Sequence, residues 1–301
     1  MQIWIWVTIL AVIFQSMRTA QSKNLKPLIG DFGASYIRFS YAIPFSWFFI
    51  FTYSYISNQS LPSVNLIFFF WVTIAGITQI IFTVLLITLF SHRSFAAATA
   101  FSKTEVIQAA LFEGLIIGYF VNARVGFAII LGVIALFLLS LAKTKLSFLN
   151  LLKSLITRQA LLGLGSGAFL GFCTVAFRVA TDSLEGTDLI MKATFTGGVS
   201  VLIQSILMGL WMLRYSKNEF VNSFTEWKKA YPVGFYGAAS TVCWFYAFSA
   251  NAVAPVRALG QIELIIALAV SFFYFREKPT IREISAIILL IISILMVIVF
   301  G

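Results

Sequence analysis

Apolar residues run along this chain in long unbroken stretches, separated by short clusters of charge. A helix needs about 20 apolar residues to cross a hydrocarbon core. Ten stretches qualify, at about 3–20, 34–56, 65–90, 95–119, 124–142, 159–180, 187–213, 230–250, 253–275 and 281–300. The connections between them are short. The longest polar one carries Lys143, Lys145, Lys153 and Arg158, between the fifth and sixth stretches. The runs are rich in Leu, Ile and Phe and do not alternate, which excludes a membrane barrel of strands about ten residues long. The fold class expected is therefore an all-α membrane protein. The N-terminal run lacks a charged n-region and an A-x-A-like site, so it reads as a helix and not as a cleaved signal. Trp4 and Trp6 read as interfacial anchors at its start.

Composition sharpens this picture. The chain of 301 residues is 60% hydrophobic and only 11% charged, where a soluble protein carries roughly 25%. That excludes a soluble enzyme, a disordered chain and a nucleic-acid binder. A single histidine, His92, leaves no site built on several histidines, and Cys173 and Cys243 sit in apolar runs without metal or disulfide spacing. No Walker motif is present, so ATP is not expected as a direct energy source, and no cofactor is implied.

The chain also repeats itself. A shift of 158 residues lays 76–134 over 234–292 without gaps. Matched pairs include Gly76/Gly234, Thr83/Thr241, Ser91/Ser249, Ala96/Ala254, Ala100/Ala258, Glu105/Glu263, Ala109/Ala267 and Arg124/Arg282. Ala128-Ile129-Ile130-Leu131 also falls on Ala286-Ile287-Ile288-Leu289, and a shift of 160 matches Arg18 to Arg178. Two five-helix halves follow, 1–145 and 159–301, joined by a basic loop at 146–158. Five crossings are an odd number, so the second half is expected to be inverted, a plan shared by many secondary transporters with a midplane site between repeats.

Several stretches carry a family resemblance. They are Gln15-Ser16-Met17-Arg18, Arg38-Phe39, the run from Ala96 to Glu105, the run from Ala254 to Glu263, and Phe275-Arg276-Glu277-Lys278. With the five-plus-five duplication they resemble the drug/metabolite transporter superfamily, of the EamA-like type, over essentially the whole chain. One departure is Tyr119, where the second repeat has Glu277. The resemblance implies transport of small metabolites, often amino acids, amines, nucleotide-like compounds or drugs. It also implies a monomer, because a duplicated chain holds both halves that simpler relatives assemble as dimers.

Charge placement adds an orientation and a site. Connections 1–2, 3–4, 5–6, 7–8 and 9–10 hold most of the basic residues, among them Lys23, Lys26, Arg93, Arg214, Lys217, Lys228, Lys229, Arg276 and Lys278. Basic loops accumulate on the cytoplasmic side, which puts both termini outside. Relatives of the family are often drawn the other way.

Ionisable groups within the membrane face a cavity or a partner. Glu105 and Glu263 lie mid-way along the fourth and ninth stretches and suggest a proton- or cation-binding pair. The alternative is that each pairs with a buried Arg or Lys and only joins helices. Lys103 and Gln261 stand two residues earlier, about 200° away on a helix, and Arg257 shares the face of Gln261. A cavity lined by that face would suit a carboxylate or phosphate; one lined by the glutamates would suit an amine.

Trp71, Trp244 and Tyr246 are the candidate aromatics, on helices that the resemblance places around the cavity. Arg18 and Arg178 read as snorkelling from helix ends. Arg38 and Lys192, one turn inside their helices, either snorkel or neutralise a glutamate. Gly163, Gly165, Gly167 and Gly171 offer a small-residue face for close helix approach or bending. Glu113 is expected near the interface without a role.

The function expected is a secondary transporter of a small polar or amphipathic metabolite in the inner membrane. Alternating access would drive it, and protons are a candidate coupling ion. A channel or a membrane-embedded enzyme on a lipid-like substrate are the alternatives.

Overall fold

The computed structural model describes residues 3–90, 102–142, 158–266 and 280–301, and helix covers each of the ten apolar stretches at least in part. In chain order the helices are α1 (Ile3–Ser40), α2 (Ala42–Ser57), α3 (Leu66–Phe90), α4 (Glu105–Ile117), α5 (Ala123–Ala142) and α6 (Arg158–Asp182). They continue as α7 (Leu189–Tyr215), α8 (Lys217–Thr225), α9 (Trp227–Ala250), α10 (Val253–Gly260) and α11 (Ile281–Phe300). Long apolar spans are found over Ile3–Ser57, Leu66–Leu85, Leu161–Asp182, Leu189–Tyr215 and Ile281–Phe300. Ser91, His92, Arg93, Ala96 to Phe101, Lys143, Lys145, Lys153, Ala267 and the stretch 275–278, all singled out above, lie outside the described residues.

Polar residues at the joints fix where several helices start. Asp188 accepts from the Met191 amide at 2.9 Å and begins α7. Asn122 does the same for α5 through Val125. Thr280 and Glu283 form a reciprocal capping box at the start of α11, the arrangement that the spacing T-x-x-E allows.

Four expectations are corrected. The first two stretches are not separated by a polar loop: α1 continues through Lys23, Lys26 and Pro27. At 1.5 Å per residue the 55-residue run Ile3–Ser57 would extend about 80 Å, far more than one crossing. It turns at Gly30, where φ is 77° and the helical path is broken. Glycine alone takes that left-handed region without a Cβ penalty. Arg18 therefore lies in the body of α1 and not at its end. Trp4 is buried while Trp6 is exposed, because one face of α1 is packed, so only Trp6 has the exposure of an anchor. Finally, the fourth and ninth stretches are not continuous helices. The first tightens into a turn at residues 103–104, and the second at 261, with helix resuming over 262–266.

By contacts the chain forms two compact units, each drawing on both halves of the sequence. One comprises 1–80 and 176–251: α1, α2, most of α3, the end of α6, α7, α8 and α9. Leu25, Ile29 and Ile37 of α1 pack there on Ala230 and Val233 of α9. Tyr36 and Phe39 pack on Met208 and Met212 of α7. The other comprises 81–175 and 252–301. Its core joins Val106 of α4, Val125, Ala128 and Ile129 of α5, Ala254 and Ala258 of α10, and Val297 of α11. Ser293 donates to the Ala128 carbonyl at 2.7 Å, so α5 and α11 are clasped by a buried hydroxyl as well as by apolar packing.

Candidate functional site

The second unit, 81–175 with 252–301, gathers Lys103, Glu105, Arg257, Gln261 and Glu263. Small residues set their positions. A Cβ on Gly167 would meet the Ser102 carbonyl at 2.8 Å, and one on Gly171 would meet the Glu105 carbonyl and the Ala109 amide at 3.0 Å. These glycines, four apart on α6, let the α4 backbone lie directly on α6. Packing is thus the role seen for Gly167 and Gly171, whereas nothing lies within 4 Å of a Cβ at Gly165. Polar groups tie the same seam: Ser102 and Ser166 hydroxyls lie 3.3 Å apart, and Gln108 Nε2 donates to the Leu164 carbonyl at 3.3 Å.

On this support the charges pair crosswise between the sequence repeats. Arg257 of α10 donates to Glu105 Oε1. Lys103 Nζ donates to Glu263 Oε1 at 2.6 Å. The two pairs differ in access. The Glu105 and Arg257 side chains are 3% and 12% exposed, and those of Lys103 and Glu263 are 22% and 25% exposed. Lys103 and Glu105, two residues apart across the turn that precedes α4, serve different partners. Each glutamate thus pairs with a cation, and the cluster holds two cations and two carboxylates. Gln261 is buried, donates to the Arg257 carbonyl at 3.4 Å, and its Oε1 is buried without a hydrogen bond.

Sequence reasoning passed over Glu113. Its side chain is fully buried, and its carboxylate accepts from the Val253 amide at 2.8 Å and the Ala254 amide at 3.3 Å. Those are the first N–H groups of α10, whose preceding residue, Ala252, offers no capping side chain. A helix N-terminus leaves its first four N–H groups unsatisfied and carries partial positive charge. Glu113 supplies the cap from α4, one turn before Arg257. The only sequence signal for this was a carboxylate deep in an apolar run, eight residues beyond Glu105.

The aromatic candidates belong to the first unit, 1–80 with 176–251. Trp244 is buried, donates to Gln15 Oε1 at 3.0 Å and stacks on Phe248 at 5.4 Å. Its partner on α1 is polar, and Ser240, one turn earlier on α9, donates to the Ala11 carbonyl at 3.2 Å. Trp71 is partly buried and makes an edge contact with Phe70. Tyr246 is partly buried on α9. Elsewhere in the unit, Tyr53 donates to Asp188 at 2.5 Å, Arg178 pairs with Asp182 at 3.4 Å, and Arg38 lies 4.9 Å from the Phe39 ring centre. Gln204 donates to Gln79, a partly buried polar link between α7 and α3.

Comparison with known proteins agrees with this architecture. Residues 157–299 match the EamA-like transporter family, which is part of the drug/metabolite transporter superfamily. A solved crystal structure aligns over 97% of this chain and 94% of its own, with a TM-score of 0.68 at 11% identity. At that identity the likeness concerns the fold. No curated protein matches the sequence.

Proposed function

We propose that this chain, a member of the EamA-like transporter family, carries a small zwitterionic metabolite of the amino-acid type across the inner membrane by alternating access. The observation that carries this reading is the accessible Lys103–Glu263 pair beside the buried Glu105–Arg257 pair. An ammonium and a carboxylate held 2.6 Å apart are the complement of a substrate that bears both charges. A zwitterion can replace the pair, its carboxylate on Lys103 and its amine on Glu263, so that neither protein charge is left unpaired in a low-dielectric setting. An amine alone or an acid alone would strand one of them. The Gln261 Oε1 acceptor supplies a further polar partner on the same element.

In this reading the two sequence halves are inverted repeats, both termini lie outside as the basic connections suggest, and the chain works as a monomer. Proton coupling runs through Glu263, which exchanges a proton for the substrate amine. Reconstituted vesicles test the whole. Uptake of zwitterionic amino acids should exceed that of their decarboxylated amines and N-acylated acids, and Lys103→Gln and Glu263→Gln should each abolish it. Equal uptake of amines and zwitterions that survives Lys103→Gln sinks the substrate assignment. Full pH-dependent uptake in both Glu105→Gln and Glu263→Gln sinks the coupling.

A further inference from the structure

The stretch from the end of α7 through α8 to the start of α9 has two faces with different tasks. Inward, Glu219 Oε2 accepts from the Phe32 amide at 2.8 Å and the Gly33 amide at 3.1 Å. These are the first amides of the helix that restarts after the Gly30 break, left open because the break removes their helical acceptors. Ser223 is buried beside them, and Tyr41 Oη donates to its carbonyl at 2.9 Å. Phe220 packs on Tyr36 at 5.4 Å. The inner face of α8 therefore holds the α1 break closed.

Outward, the same segment exposes Tyr215, Val221 and Trp227, while Phe224 is half-exposed at the edge and packs on Tyr36 and Tyr41. Interleaved with them are exposed Arg214, Lys217, Lys228 and Lys229. Arg214 lies 5.4 Å from the Tyr215 ring centre and Lys228 5.7 Å from that of Trp227. The two acids of the stretch are otherwise engaged: Glu219 turns inward, and Glu226 pairs with Lys229 at 2.8 Å. That leaves an outer face on which Arg214, Lys217 and Lys228 set positive charge beside aromatic and apolar groups. A short helix carrying Lys217, flanked by Arg214 at the end of α7 and Lys228 at the start of α9 with aromatic residues between, suits the plane where headgroups meet acyl chains. Three cations there suit phosphate-bearing anionic lipid and gain nothing from a zwitterionic headgroup of zero net charge.

We propose that Arg214 to Lys229 is a strap that anionic lipid headgroups pin to the membrane surface, and that Glu219 passes this anchoring to the α1 break at Gly30. Lipid composition then sets how firmly the Phe32 and Gly33 amides are held. This proposal needs no particular substrate.

Hydrogen–deuterium exchange of the full chain in nanodiscs tests it. Phosphatidylglycerol should slow exchange in α8 and at residues 30–33 relative to phosphatidylcholine, by about fivefold for each cation that engages a headgroup. The triple variant Arg214→Gln, Lys217→Gln, Lys228→Gln should lose the difference between lipids at both places. Glu219→Gln should keep it in α8 and lose it at residues 30–33. The proposal is overturned if the two lipids protect wild type equally, or if the triple variant keeps the full difference. It is also overturned if inorganic phosphate added to phosphatidylcholine discs reproduces the protection, since the ligand would then be a free anion and not a lipid.

Discussion

The two crosswise ion pairs use the same chemistry in different surroundings. Arg257 and Glu105 are enclosed by α4, α6 and α10, whereas Lys103 and Glu263 keep access at roughly a quarter of their side-chain surface. A buried pair is costly to desolvate and costlier still to break, because the survivor is left charged and alone. A pair with access can lose a partner to water or to a ligand. We therefore propose a supporting role for the first pair and an exchangeable one for the second.

The largest effect should come from breaking the buried pair on one side. Arg257→Ala is expected to cost about 3–5 kcal/mol, read as a loss of thermal stability in detergent. Replacing both partners, Glu105→Leu with Arg257→Met, should recover most of that stability, because well-packed apolar groups substitute for a buried pair at little cost. If the double variant is as unstable as the single, the pair does more than neutralise itself.

Next comes the cap. Glu113→Ala orphans the Val253 and Ala254 amides and should lower stability by about 1–3 kcal/mol. Glu113→Gln keeps an acceptor and should lose less. A Glu113→Ala protein as stable as wild type would mean that α10, and Arg257 with it, is held by apolar packing alone.

The smallest effect on stability, and the largest on uptake, is expected at the accessible pair. Lys103→Gln and Glu263→Gln should each cost less stability than Arg257→Ala, because the charge left behind keeps some access, while removing transport. A charge swap, Lys103→Glu with Glu263→Lys, should restore folding and allow the coupling energy to be measured as a double-mutant cycle. If the single variants are instead as destabilised as Arg257→Ala, the contrast between the pairs collapses.

A milder comparison runs between two carboxylates that cap helices from outside. Glu113 is fully buried and holds the start of α10, and Glu219 holds the restart of α1 from the partly exposed α8. Both replace a missing local cap. Neither is visible in the local sequence, because Val253 is preceded by Ala252 and Phe32 follows a broken helix; the carboxylates arrive from 140 and 187 residues away.

Sequence by itself determined the helical membrane class and singled out Glu105 and Glu263 as charges that need a partner or a cavity. Those follow from local physics: apolar runs long enough to span hydrocarbon, and charges too costly to bury without purpose. It also carried a family resemblance, through short stretches spread along the chain, and residues 157–299 match the EamA-like transporter family. It misjudged the first two helices because a single glycine, with no Cβ to forbid φ of 77°, turns the chain where a polar loop was expected. Only the tertiary structure decided which charges meet. Lys103 and Glu105 are two residues apart and could each have faced water, lipid or the other's partner. Their pairing with Glu263 and Arg257 depends on α4 lying against α6 through Gly167 and Gly171 and on α10 being held by Glu113. Such choices are long-range, set by close packing between segments far apart in the chain, and no local pattern records them.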